Sequence, residues 1–127
     1  MNRDPNGHGS SINEQLRQLD ESLALSRVGG DPELLREIVE LFLNDYPQAL
    51  ERIRHAIAAH DPSGVEHHAH SLKGSVSTFG AKEAFEAALA LEKKGRSRDL
   101  SGVEGGLSQL ESALELLRPE LEAVQAK

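Results

Sequence analysis

One stretch concentrates the chemistry of this chain: His67-His68-Ala69-His70-Ser71-Leu72-Lys73-Gly74-Ser75-Val76-Ser77. Read as a helix, it has an apolar seam of Val65, Ala69, Leu72, Val76 and Phe79. At roughly 100° per residue that seam centres about 140° from His70, which therefore points outward. Ser63, Glu66, His67, Lys73, Gly74 and Ser77 project within about 60° of it. A free imidazole titrates near about 6.5, so an exposed one is mostly neutral at pH 7 and nucleophilic. Lys73, one turn on, supplies a cation for the oxygens of an anion carried on the ring. Gly74 costs about 1 kcal/mol relative to Ala inside a helix. On an exposed face no packing within the chain explains that cost, whereas a missing Cβ lets another macromolecule approach closely. The set describes an outward histidine able to accept a phosphoryl group, with Glu66, His67, Gly74 and Ser77 as candidate docking residues around it.

The neighbouring histidines fit less well. His68 projects about 160° from His70, close to the seam, and has Ser71 at +3. His67 is on the right face, but its +3 and +4 residues are His70 and Ser71. Only His70 has both the cation and the glycine. Two other readings compete. Glu66, His67 and His70 could clip a divalent metal, yet di-iron bundles place Glu-x-x-His on two helices and carboxylates on two more, and no histidine follows residue 70. A purely structural adaptor bundle leaves the exposed Gly74 unexplained.

These residues need a frame, and the sequence punctuates one. Residues 1–10 (MNRDPNGHGS) are polar and read as a disordered tail; residues 11–127 read as a single domain. Ser11 with Glu14 forms a capping-box pattern ahead of Ile12, Leu16, Leu19 and Leu23, and Gly29-Gly30 ends that first helix. Asp31-Pro32 opens the longest helix, with an apolar stripe of Leu35, Val39, Phe42, Tyr46, Ala49, Ile53 and Ala56 that keeps phase through Pro47. Leu34, Ile38 and Leu41 add a second stripe early, where the first helix is expected to pack.

Asp61-Pro62 starts the third helix, expected to run to about Phe79 and stop at Gly80. The fourth is expected over roughly residues 81–94, with Ala84, Phe85, Ala88 and Leu91 inward and Gly95 as its end. Ser101 with Glu104 is a further capping box, opening a helix of Val103, Leu107, Leu110, Leu114, Leu117, Leu121 and Val124 that Pro119 is expected to kink near its end. Short connections favour antiparallel neighbours. The expectation is an all-α, antiparallel up-down four-helix bundle with an additional short N-terminal helix.

Composition narrows the function. The 127 residues include 14 Lys and Arg against 21 Asp and Glu, a net charge of −7. Nucleic acid is disfavoured, because binding it needs a basic face. With no cysteine, disulfides, thiol nucleophiles and sulfur-ligated zinc are excluded. No signal peptide and no run of about 20 apolar residues is present, which points to a cytoplasmic address without membrane insertion. Nor is there a GxxxxGK[ST] phosphate loop, and the chain is too short for a complete nucleotide-dependent kinase.

The segment Ala69-His70-Ser71-Leu72-Lys73-Gly74-Ser75, with Phe79-Gly80-Ala81 after it, resembles the signature of histidine-containing phosphotransfer (HPt) domains of two-component phosphorelays. Leu41-Phe42-Leu43-Asn44-Asp45-Tyr46 upstream, and Leu91-Glu92 with Arg96 downstream, are similar to that family's flanking pattern. The likeness spans roughly residues 31–120. It implies a four-helix bundle that exchanges a phosphoryl group with receiver-domain aspartates of response regulators or hybrid kinases. His70 then matches the phosphorylated histidine, Lys73 the phosphoryl-stabilising lysine, and Gly74 the small residue of the docking surface. Ser77 falls where the family tolerates small or polar residues, and no family role carries onto His67 or His68. The resemblance further implies a phosphocarrier with no nucleotide site and no cofactor of its own, acting as a monomer, with the catalytic Mg²⁺ held by the receiver.

Overall fold

The computed structural model describes residues 18–127. The polar tail, the Ser11–Glu14 pattern, Ile12 and Leu16 lie outside them. Helix α1 is Glu21–Arg27, α2 Pro32–Ala58, α3 Pro62–Ser77, α4 Lys82–Ser97 and α5 Val103–Gln125. Both Asp-Pro pairs act as read: the carboxylate of Asp31 accepts from the N–H groups of Glu33 and Leu34, and that of Asp61 from Gly64. Each proline stands in the first turn, where no N–H is needed. Pro47 lies inside an uninterrupted α2, as Pro119 does in α5.

Each of α2 to α5 packs on the next, and α5 closes the ring on α2. The core is mostly Leu, Ala, Val and Ile. Val39, Ile53, Val65, Ala69, Ala88, Leu91, Leu110, Leu117 and Leu121 are essentially without solvent contact. Three of the four aromatic residues gather at one level, where Phe42 stacks on Tyr46 at 5.4 Å and meets Phe79 edge-on at 5.2 Å. Ala49, Phe85 and Leu107, expected inward, are only half-buried, and Leu50 is buried beside Ala49.

Four details differ from the sequence reading. The first helix does not run through Leu19. Residues 18–20 are non-helical, and the helix starts at Glu21 because the Asp20 carboxylate accepts from Leu23 N–H. Its packing is as expected only in part: α1 does contact α2, but of the second stripe only Ile38 is half-buried, while Leu34 and Leu41 stay exposed. Asp20 N–H also donates to Phe79 O at 2.9 Å. The buried Gln18 carboxamide donates to Ala113 O at 2.7 Å and accepts from Ala84 N–H at 3.1 Å. That second bond supplies a first-turn partner to α4, whose own N-cap Ala81 offers none.

Helix α5 starts after Gly102, in the left-handed region at φ 71°, with no side-chain cap. Ser101 fails as the cap because its hydroxyl bonds the Asp99 carboxylate. Finally, α4 does not stop near Gly95 but runs to Ser97, turning out at Arg98 with φ 63°.

Candidate functional site

Helix α3 sets the site by its two faces. Val65, Ala69, Leu72 and Val76 are buried against the core, and this fixes the rotation of the helix. The His70 side chain is consequently 65 % exposed. Gly74 is exposed on the same side, and a Cβ added there would meet nothing within 4 Å.

The centre of the site comes from α4. Glu92 is only 2 % exposed, and its carboxylate collects three partners. His70 Nδ1 lies 2.9 Å from Oε2, and Arg96 Nη2 donates to the same oxygen at 2.6 Å. Lys73 Nζ stands 2.7 Å from Oε1 as an ion pair. Lys73 holds the Glu92 acidity down at about 2, with the His70 hydrogen bond adding, against the opposing effect of burial. An ionised carboxylate has only acceptor sites. The His70 nitrogen facing it must therefore carry the proton, which leaves Nε2 with its lone pair on the open side.

Around this centre, Arg96 Nε also donates to Glu66 Oε2 at 3.0 Å, so Glu66, Arg96, Glu92, Lys73 and His70 form one chain of charge. Lys73 is 20 % exposed, and its ammonium lies 5.9 Å from the centre of the Phe85 ring. The expected free cation is thus already engaged before any anion arrives. Ser77 Oγ donates to Gly74 O at 2.7 Å, and the Ser77 carbonyl accepts from Arg27.

Of the residues singled out in the sequence, His70 and Lys73 meet on Glu92. Glu66 joins through Arg96, and Gly74 and Ser77 lie one turn further along α3. His67 is not drawn in; it is exposed, with its ring edge-on to that of His68 at 5.1 Å. Burial foremost, then the charges of His67 and Arg52, pushes the His68 imidazole below its usual range. Among the described residues no three His, Asp or Glu side chains converge as metal ligands, so the Glu66-His67-His70 clip lacks its geometry.

The sequence marks Glu92 and Arg96 only as part of a flanking pattern. A signal was available: Glu92 falls on the inward face of α4 beside Ala84, Ala88, Leu91 and Gly95, and a carboxylate placed there requires cationic partners.

A family model described as the Hpt domain matches residues 37–126. The chain belongs to the Hpt-domain family. As an Hpt domain it is a histidine phosphotransfer protein of two-component signalling, and the all-α bundle is that family's fold. The crystal structure of histidine-containing phosphotransfer protein B (HptB) from Pseudomonas aeruginosa PAO1 superposes with a TM-score of 0.81. That likeness covers 87 % of this chain and 96 % of HptB at 22 % sequence identity, so it bears on the fold. No curated protein sequence matches the chain. No helix among the described residues is long and apolar enough to cross a membrane.

Proposed function

We propose that this Hpt domain carries the phosphoryl group on Nε2 of His70, taking it from the phosphoaspartate of one receiver domain and passing it to the aspartate of another. The observation that carries the reading is the 2.9 Å contact between His70 Nδ1 and the buried Glu92 carboxylate. With the proton held on Nδ1, the Nε2 lone pair attacks phosphorus in line. The N–P bond forms as the bond from phosphorus to the aspartyl oxygen breaks, and the aspartate leaves as a carboxylate. The Nδ1 proton stays in place, so the ring becomes cationic, and Glu92 faces that charge at no cost in reorganisation. Transfer to the second aspartate reverses these steps.

Lys73 and Arg96 are the cations nearest the ring, and partial release from Glu92 lets them meet phosphate oxygens. The open surface at Gly74 admits the receiver, with Ser77, Glu66 and the exposed His67 around it. The Mg²⁺ that assists the transfer belongs to the receiver, and the Hpt domain contributes presentation: a rigid helix holding one imidazole outward. An adaptor role without chemistry leaves the buried, triply partnered Glu92 beside an exposed imidazole without a purpose.

Incubation with a panel of phosphorylated receiver domains tests the proposal. At least one receiver is expected to load an acid-labile, base-stable phosphate onto the domain. Failure of every receiver to do so, with the domain folded, would contradict it.

A further inference from the structure

Gly95 is buried in the last turn of α4. A Cβ added there would lie 2.5 Å from Glu66 N, 2.6 Å from Pro62 O and 2.9 Å from Glu66 Cα, all backbone atoms of α3. The other glycines inside helices differ. Gly74 and Gly105 face open space, Gly64 faces the side chains of Asp61 and Ala56, and Gly106 faces the movable end of Leu91 at 3.1 Å. Gly95 is thus the described helical glycine at which two helices touch backbone to backbone.

The contact sits beside the reactive histidine. Glu92 lies about one turn before Gly95 on α4, and His70 about one turn after Glu66 on α3. The helices run in opposite directions, so Gly95 against Glu66 and Glu92 against His70 are successive rungs of one ladder. The hydrogen bond on the second rung is 2.9 Å long. Relieving a 2.5 Å approach to ordinary contact at 3.4 Å or more would open the helix pair by most of an ångström. A hydrogen bond stretched to about 3.6 Å is no longer one.

We propose that Gly95 is a positioning residue for the phosphoryl-accepting imidazole: by letting α3 and α4 touch, it sets the distance at which Glu92 holds the proton on His70 Nδ1. The inference rests on the reading of His70 as the acceptor and adds the residue that sets its tautomer from the neighbouring helix. Neither Gly95 nor its backbone contacts touch the ring.

The test is the nitrogen NMR signature of the His70 imidazole in the unphosphorylated domain, which separates Nδ1–H from Nε2–H and needs no receiver. The wild-type ring is expected to be mainly Nδ1–H. Gly95→Ala is expected to move the tautomer ratio at least about threefold toward Nε2–H and to slow phosphate acceptance about tenfold, as displacements below an ångström do at reacting centres. Gly64→Ala, which meets the Asp61 cap instead, is expected to leave the ratio unchanged. A folded Gly95→Ala domain with the wild-type ratio would overturn the assignment.

Should Gly95→Ala not fold, Glu92→Asp decides. It shortens the carboxylate by one methylene and opens the same gap with Gly95 in place. The same shift shows that the Glu92–His70 distance sets the ratio, which the Gly95 assignment requires, and a wild-type ratio overturns it. A wild-type domain that takes no phosphate from any receiver would sink the phosphorelay reading while leaving this ratio to be read on its own.

Discussion

On its inward side, α3 presents Val65, Ala69, Leu72 and Val76, each between 0 and 2 % exposed, to the core. On its outward side the same helix presents His70 with 65 % of its side chain in solvent, and Gly74 facing open space. The first face is constrained by volume, because a packed interior registers the loss of a single methylene. The second is constrained by chemistry: it holds a nucleophile, a cation and a deliberate absence of bulk. The edge between them, where Lys73 and Glu92 meet, answers to both. A carboxylate 2 % exposed survives there only because two cations and the His70 imidazole surround it. Stability and reactivity are therefore written on opposite sides of one rod, and substitutions can separate them.

The largest separation is expected from His70→Gln. Acid-labile, base-stable phosphorylation should vanish, while the circular dichroism spectrum and melting temperature stay close to wild type; phosphate retained on this variant would move the acceptor elsewhere. Leu72→Ala is the mirror image. It should cost about 2–5 kcal/mol in denaturant unfolding, with phosphate acceptance per folded molecule little changed. A large fall in that acceptance would mean that the two faces are not independent.

Lys73→Ala, at the edge, should slow phosphate acceptance about tenfold in stopped-flow transfer assays, in line with the loss of one charge-stabilising group. An unaltered rate would remove its electrostatic role. Gly74→Leu should weaken receiver affinity by about tenfold in titration calorimetry, roughly 1.4 kcal/mol, without loss of melting temperature. If the receiver binds this variant normally, the bare surface there serves no docking purpose.

The smallest effect concerns pH. The folded acidity of Glu92, at about 2, lies below the ordinary 4.5. Its contribution to stability is therefore complete above about pH 4.5 and is lost as pH falls toward about 2. Glu92→Gln should flatten that part of the acid-unfolding profile. Lys73→Ala should shift it to higher pH, because Lys73 is the foremost cause of the lowered acidity.

What sequence reasoning recovers follows from the same contrast. Both Asp-Pro caps, the α3 seam and the outward projection of His70 are local patterns, and each appears where the pattern puts it. Glu92 is harder to read: periodicity puts it on the inward face of α4, but the groups that make a buried carboxylate tolerable include Lys73 and His70 of α3, some twenty residues upstream, besides Arg96 one turn on. Gly95 reads as a helix end because glycine commonly closes helices, whereas it lies within the last turn of α4, buried by the approach of α3. Ser101 lost the α5 cap to Gly102, whose left-handed backbone turns the chain into the helix without a side-chain bond. The docking of residues 18–20 rests on Gln18 and Glu120, partners about a hundred positions apart, which no short-range pattern encodes.

The central claim is that Glu92 keeps the proton on Nδ1 and leaves Nε2 of His70 to bond phosphorus. Phosphorus–proton correlation NMR of the domain, loaded by a phosphorylated receiver and held at alkaline pH, tests it most directly. The account predicts one phosphorus coupled to ring protons as an Nε2 adduct of His70, with His67 and His68 unmodified. Phosphorus on Nδ1, or on either neighbouring histidine, would contradict it.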